Sequence, residues 1–185
     1  VTPHSLAFYL SVVTTGTVLG AKPADTPERV AALLGQDFAE NSLDATSMWR
    51  DYGLAEFFWT RASADHPWEG HHFSLQVHRL AHGGTGKPAG EALRDRYGRF
   101  GRRLRFEKLR RLLDRRGTAL LEVPDPWNGP YYRLYWQPES QVAVSVVGER
   151  AEYVTPGNLQ PGDVYRISAP MTPEEVERHR SHGRG

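Results

Sequence analysis

Four of the chain's eight histidines, His71, His72, His78 and His82, fall in one short stretch, and such a cluster first suggests a metal site. Spacing argues against it. In an extended strand His72 and His78 share a face but stand roughly 20 Å apart, and the neighbours His71 and His72 point to opposite faces. There is no HExxH pair, and with no cysteine in the chain a thiolate zinc site is excluded. Nucleophilic chemistry has no better footing. The chain has no GxSxG elbow, and "HGGTGKP" contains Gly-Lys without the GxxxxGK[ST] frame of a phosphate loop. Arg50 and Asp51 place a carboxylate beside a cation, an arrangement commoner in solvated ion pairs than in reaction centres. The expectation is no catalytic residue, no metal ligand and no cofactor, and so not an enzyme.

Charge is the stronger signal. Between Arg94 and Gly117 eleven Arg and Lys face three Asp and Glu, while the whole chain carries only +1, so a basic segment sits on an acidic body. Arg103, Lys108, Arg110, Arg111, Arg115 and Arg116 could track phosphates, with Tyr97 or Phe100 stacking on a base. The same residues could equally form a solvated face, or steer association with an acidic protein. Charge alone does not separate the three.

Aromatic residues supply a second candidate surface. "LAEFFWTR" puts a large apolar side chain on each face of a strand. Phe57, Phe58 and Trp59 therefore read mainly as sheet packing, with Trp59 the one expected to reach the surface. An aromatic recognition face would combine it with Trp68, Trp127, Tyr132 and Trp136, because aromatics and Arg anchor interfaces. Asp51 and Glu56 are the nearby carboxylates expected at such a surface, with Asp37, Glu40 and Asp44 as further acidic candidates against a basic partner.

The elements that must position these residues follow from periodicity and punctuation. A first helix runs from Pro3 to about Val13, docking through Leu6, Tyr9, Leu10 and Val13. It lacks the positive start of a secretory signal and is too short to span a bilayer, which points to a cytoplasmic protein without membrane association. A second helix has Thr26 as N-cap, Pro27 at its first position and Gly35 as its stop. "LAEFFWTR" and "HHFSLQVHRLA" then read as an antiparallel hairpin, the latter alternating through His72, Ser74, Gln76 and His78. After the Gly-rich stretch the order repeats: the helix "LRFEKLRRLLDRRG", then "YYRLYWQP" and "QVAVSVVGE". One or two strands follow near the end, and a last helix starts at Thr172.

The fold class expected is α+β, with two degenerate helix-plus-antiparallel-sheet units packed as one compact body and helices on one side of the sheet layer. Residues 1–82 hold the first helix and first unit, 83–93 a Gly-rich linker, 94–170 the second unit with the basic helix, and 171–185 a helix start and polar tail.

The tracts "RDYGLAEFFW" (50–59) and "QVHRL" (76–80) resemble actinobacterial proteins associated with immunity to polymorphic toxins, a resemblance spanning about residues 12–82. The repeated helix-then-sheet order is similar in outline to β-lactamase-inhibitor protein and to small outer-membrane assembly lipoproteins, although this chain has neither cysteines nor a lipobox. The resemblance implies stoichiometric binding of another protein, such as a toxin domain. Nucleic-acid binding through the basic 94–117 segment is the alternative. The composition leaves the oligomeric state open.

Overall fold

The structure, a computed structural model, describes residues 4–82, 89–149 and 159–183. Helix α1, His4–Thr15, buries Leu6, Phe8, Tyr9, Leu10, Val12 and Val13, so its apolar surface extends around most of the helix. Such a helix must be covered on more than one side. The sheet lies beneath it, and Tyr97 and Phe100 close over Phe8 at centroid distances of 5.3 and 5.6 Å. Helix α2, Pro27–Leu34, is punctuated as its sequence demands. The Thr26 hydroxyl accepts from the Arg29 N–H, and Gly35 takes φ 96°, a left-handed value suited to glycine.

All eight described strands form one antiparallel sheet in the order β1-β2-β3-β4-β8-β7-β6-β5. The first meander is β1 (Ala39–Asp44), β2 (Ser47–Asp51), β3 (Ala55–Thr60) and β4 (Glu69–Leu75). The second is β5 (Leu121–Val123), β6 (Tyr132–Gln137), β7 (Val142–Val147) and β8 (Val164–Ala169). The two meet where Phe73, Ser74 and Leu75 pair with Ala169, Ser168 and Ile167. Helix α3 (Glu91–Tyr97) occupies the end of the expected 83–93 linker, whose residues 83–88 lie outside those described. Helix α4 (Phe106–Asp114) carries the basic segment, and α5 (Pro173–His182) closes the described chain.

Alternation along the strands separates two faces. The inner face is the main core. Phe57, Trp59, Phe73, Leu75, Tyr135, Val144 and Ile167 share one buried cluster with α1, α2, α3 and α4, and the Phe106 ring stacks on Tyr135 at 4.1 Å. This cluster joins both halves of the chain. Helix α5 departs from the expected one-sided arrangement. It lies against the opposite face, where Val176 and Met171 pack on Trp136, Ala143 and Leu134, because even-numbered β6 residues alternate away from Tyr135.

Two further expectations are corrected. The strand through "HHFSLQVHRLA" stops at Leu75 and continues as a 3-10 helix, Val77–His82. Gln76 and Arg79 are turned toward Glu56 by hydrogen bonds, which ends the extended run. The β1–β2 hairpin was not anticipated. Its first strand, "AENSLD", is exposed at all six positions, so no buried face imprints an alternation on it. Its pairing with β2 slips between Ser42 and Asp44, leaving Leu43 in a bulge at 82% exposure.

Candidate functional site

The outer face of the sheet holds the most developed surface feature. Cross-strand register aligns Trp49 on β2 with Phe58 on β3 and Phe58 with His72 on β4. The rings follow one another, Trp49 to Phe58 at 6.5 Å and Phe58 to His72 at 5.4 Å, forming an aromatic row that leads inward from the β1 edge. The row ends in a cleft of about 720 Å³. The floor is sheet, with His72, Arg166 and Ser168 from the two central strands, Ser145 from β7 and Tyr132 from β6. One wall is α5, contributing Glu175, Arg178 and His179; the loop bearing Asp125, Trp127 and Asn128 forms another.

Hydrogen bonding divides the cleft's polar groups into engaged and unengaged sets. Glu175 is committed to the capping box of α5, accepting from the Thr172 backbone N–H at 2.7 Å. Asp125 accepts from the backbone and side-chain N–H groups of Asn128 at 3.1 to 3.2 Å. By contrast, among the described residues the guanidinium groups of Arg166 and Arg178 and the hydroxyls of Ser145 and Ser168 form no hydrogen bond, and neither arginine has a carboxylate within ion-pair distance. Ser145 sits directly across the ladder from Arg166. His72 is held neutral: desolvation, with the neighbouring His71 and Arg166, brings its pKa down to about 4. Burial and the Tyr165 phenol push Tyr132 up to about 12, so it too is uncharged at neutral pH.

Of the six residues expected at a partner surface, only Trp127 stands fully open, at 56% exposure. Its ring meets His179 edge-on at 4.5 Å. Trp59, expected to reach solvent, is 1% exposed, lies on the inner face and donates its indole N–H to the Asp25 carbonyl. Phe58, one residue earlier, takes the outer position instead. Trp136 is buried beneath α5 and donates to the Met171 carbonyl. Trp68 is half-buried, with the Arg61 guanidinium 4.1 Å above its ring. Asp51 and Glu56 converge on Arg79, and Gln76 also donates to Glu56. Their carboxylates tie the β2–β3 connection to the 3-10 helix.

The other acidic candidates have local partners or none. Glu40 pairs with Arg50 across the β1–β2 ladder at 2.8 Å, and Thr46 holds Asp44 below the usual carboxylate range by donating from its backbone and side chain. Asp37 is exposed.

The basic segment divides in two. Arg103 and Arg105 clasp Asp163, a fully buried carboxylate, at 2.6 and 3.0 Å. Lys108, Arg110, Arg111, Arg115 and Arg116 lie exposed around α4 while Phe106, Leu109 and Leu113 face the core. Tyr97 and Phe100 pack on α1. Among the described residues no three His, Cys, Asp or Glu side chains stand close enough to hold a metal ion, and no helix is long and apolar enough to cross a membrane.

Sequence reasoning missed His72, Ser145, Arg166 and Ser168 as one site. The legible signal was "VAVSVV" and "VYRISA", where small polar residues and an arginine interrupt valine-rich strands and so mark a sheet face open to solvent. Compared with protein-family models, curated proteins and solved structures, the chain matches none.

Proposed function

We propose that this protein is a non-catalytic binding module that engages another protein through the outer face of its sheet, acting as an immunity or inhibitor protein that covers a toxin or enzyme stoichiometrically. One observation carries the reading: beside α5 and the 3-10 helix, the outer face keeps a partly exposed aromatic row, Trp49, Phe58 and His72, that leads into an arginine-bearing cleft. Aromatic and arginine side chains are the types that anchor interfaces, and a ring that is already packed loses little entropy on binding. The resemblance of residues 50–59 and 76–80 to immunity-type proteins supports the same reading, as does the cytoplasmic address expected from the sequence.

The reading takes the sheet as two degenerate helix-plus-meander units. Its support is that α2 precedes β1–β4 and α4 precedes β5–β8, with the last strands of the two meanders paired.

The test is affinity capture from the source lysate at moderate salt with the wild-type protein and a Trp127→Ala/Phe58→Ala variant. A protein retained by the first, released by the second and losing its activity at a one-to-one ratio is the expected result. Retention of the same protein by both would remove the outer face from the interface. Nucleic-acid binding is the second reading, favoured by the exposed Lys108, Arg110 and Arg111 on α4 and Arg115 at its C-terminal end. Its mark would be affinity that falls steeply with salt, with a slope reduced by about one unit for each arginine neutralised that contacts phosphate.

A further inference from the structure

The cleft's engaged and unengaged groups differ in kind. Its two carboxylates already accept hydrogen bonds from cap and turn N–H groups, whereas among the described residues its two guanidinium groups and two serine hydroxyls make no hydrogen bond or ion pair, Arg166 resting only against the Tyr165 ring at 5.7 Å. The charged groups of the cleft left without a hydrogen bond or ion pair are therefore the cationic ones, which an anionic side chain would complement. Arg166 lies on a central strand and is flanked on the same face by Ser145 across the ladder and Ser168 two residues along. A guanidinium binds a carboxylate through two parallel N–H···O bonds, and flanking hydroxyls can satisfy the remaining lone pairs.

We infer that Arg166, Ser145 and Ser168 form an anchoring subsite for an aspartate or glutamate side chain presented by a loop of the partner protein, with Tyr132 and Trp127 packing beside that side chain. The inference rests on the proposed binding function and names its chemistry. It also places the basic side of recognition on this chain and the acidic side on the partner at this point of the interface. The depression suits a loop tip: about 720 Å³ lies within the roughly 300 to 1,000 Å³ of ligand-sized sites.

The experiment is a titration of the ¹⁵N-labelled chain followed by nuclear magnetic resonance, using three probes: the N-acetyl N-methylamide of aspartate, the same derivative of asparagine, and inorganic phosphate. Saturable shifts at Ser145, Arg166 and Ser168 with the aspartate probe and not with the asparagine probe are expected. Arg166→Met should weaken that binding by about tenfold or more, and Ser145→Ala, which keeps the guanidinium, by about threefold. Arg166 is exposed, so both variants are expected to keep the wild-type spectrum elsewhere. Equal response to the aspartate and asparagine probes, or unchanged binding in Arg166→Met, would overturn the inference. Phosphate binding ten times tighter than the aspartate probe would overturn it in favour of a phosphate-bearing ligand. Failure here while Trp127→Ala/Phe58→Ala still releases a captured partner would remove only the carboxylate anchor. Aspartate binding with no partner captured would instead remove the proposed function and leave the subsite.

Discussion

The inner and outer faces of the sheet are built from the same strands, yet they solve different problems. On the inner face Phe57, Trp59, Phe73 and Ile167 are essentially inaccessible beneath the first four helices. On the outer face Trp49, Phe58 and His72 form a comparable aromatic row but remain partly exposed, and among the described residues α5 and the 3-10 helix are the helices that pack against that side. An antiparallel sheet needs only one covered face to be stable. Large side chains on the other face add little to the core, which is why the proposed binding function is placed there.

The strongest way to break this comparison is to truncate one tryptophan from each face. Trp59→Ala should destabilise the protein by about 3–5 kcal/mol, since it empties a core site and removes the indole N–H that the part-buried Asp25 carbonyl accepts. Trp49→Ala should cost about 1 kcal/mol. Equal shifts in urea midpoint would mean that the outer row is a second core.

A charge comparison within one short segment sharpens the point. Asp163→Asn should cost about 3 kcal/mol because it leaves Arg103 and Arg105 facing a buried amide in place of a carboxylate. Arg166→Met, three residues later, should change stability by less than about 0.5 kcal/mol. Thermal unfolding of the two variants checks both.

His72 supplies a pH test of how closed the outer face is. Its folded pKa is depressed to about 4 from an unfolded value near 6.5, so the unfolded chain takes up the proton first. The associated stability is complete above pH 6.5, declines as pH falls toward about 4, and levels off below. The loss is on the order of 2–3 kcal/mol. His72→Gln should remove this component, and an unchanged pH profile in that variant would show the imidazole to be solvated. The smallest effect belongs to α4: Arg110→Gln with Arg111→Gln should leave stability within about 0.5 kcal/mol and partner capture intact. Loss of capture in that variant would move the interface to the helical side.

Much of the fold was legible where local chemistry and burial agree. The caps of α2 and α5 could be placed from Thr26-Pro27 and Thr172-Pro173, and β6 and β7 from alternation. The β1–β2 hairpin was illegible because an exposed edge strand carries no burial pattern. The wet member of Phe57-Phe58-Trp59 was illegible because both faces of β3 carry aromatic rings. The faces are distinguished only by the helices that land on one of them. The site was less legible still. Arg166, Ser145 and His72 come from three strands distant in sequence, and their meeting depends on the pairing of β4 with β8 and β8 with β7.

The bulge at Leu43 bears on how this molecule can be kept. An eight-strand sheet ending in a bare strand offers open backbone groups to any second copy, and such contacts can propagate into filaments. The slipped register bends that ladder, and Asp44 adds a charge beside the bulge, so an approaching copy meets a broken edge. Deleting Leu43 should straighten the strand and raise the tendency of the edge to pair with a second copy, read as light scattering that grows with concentration.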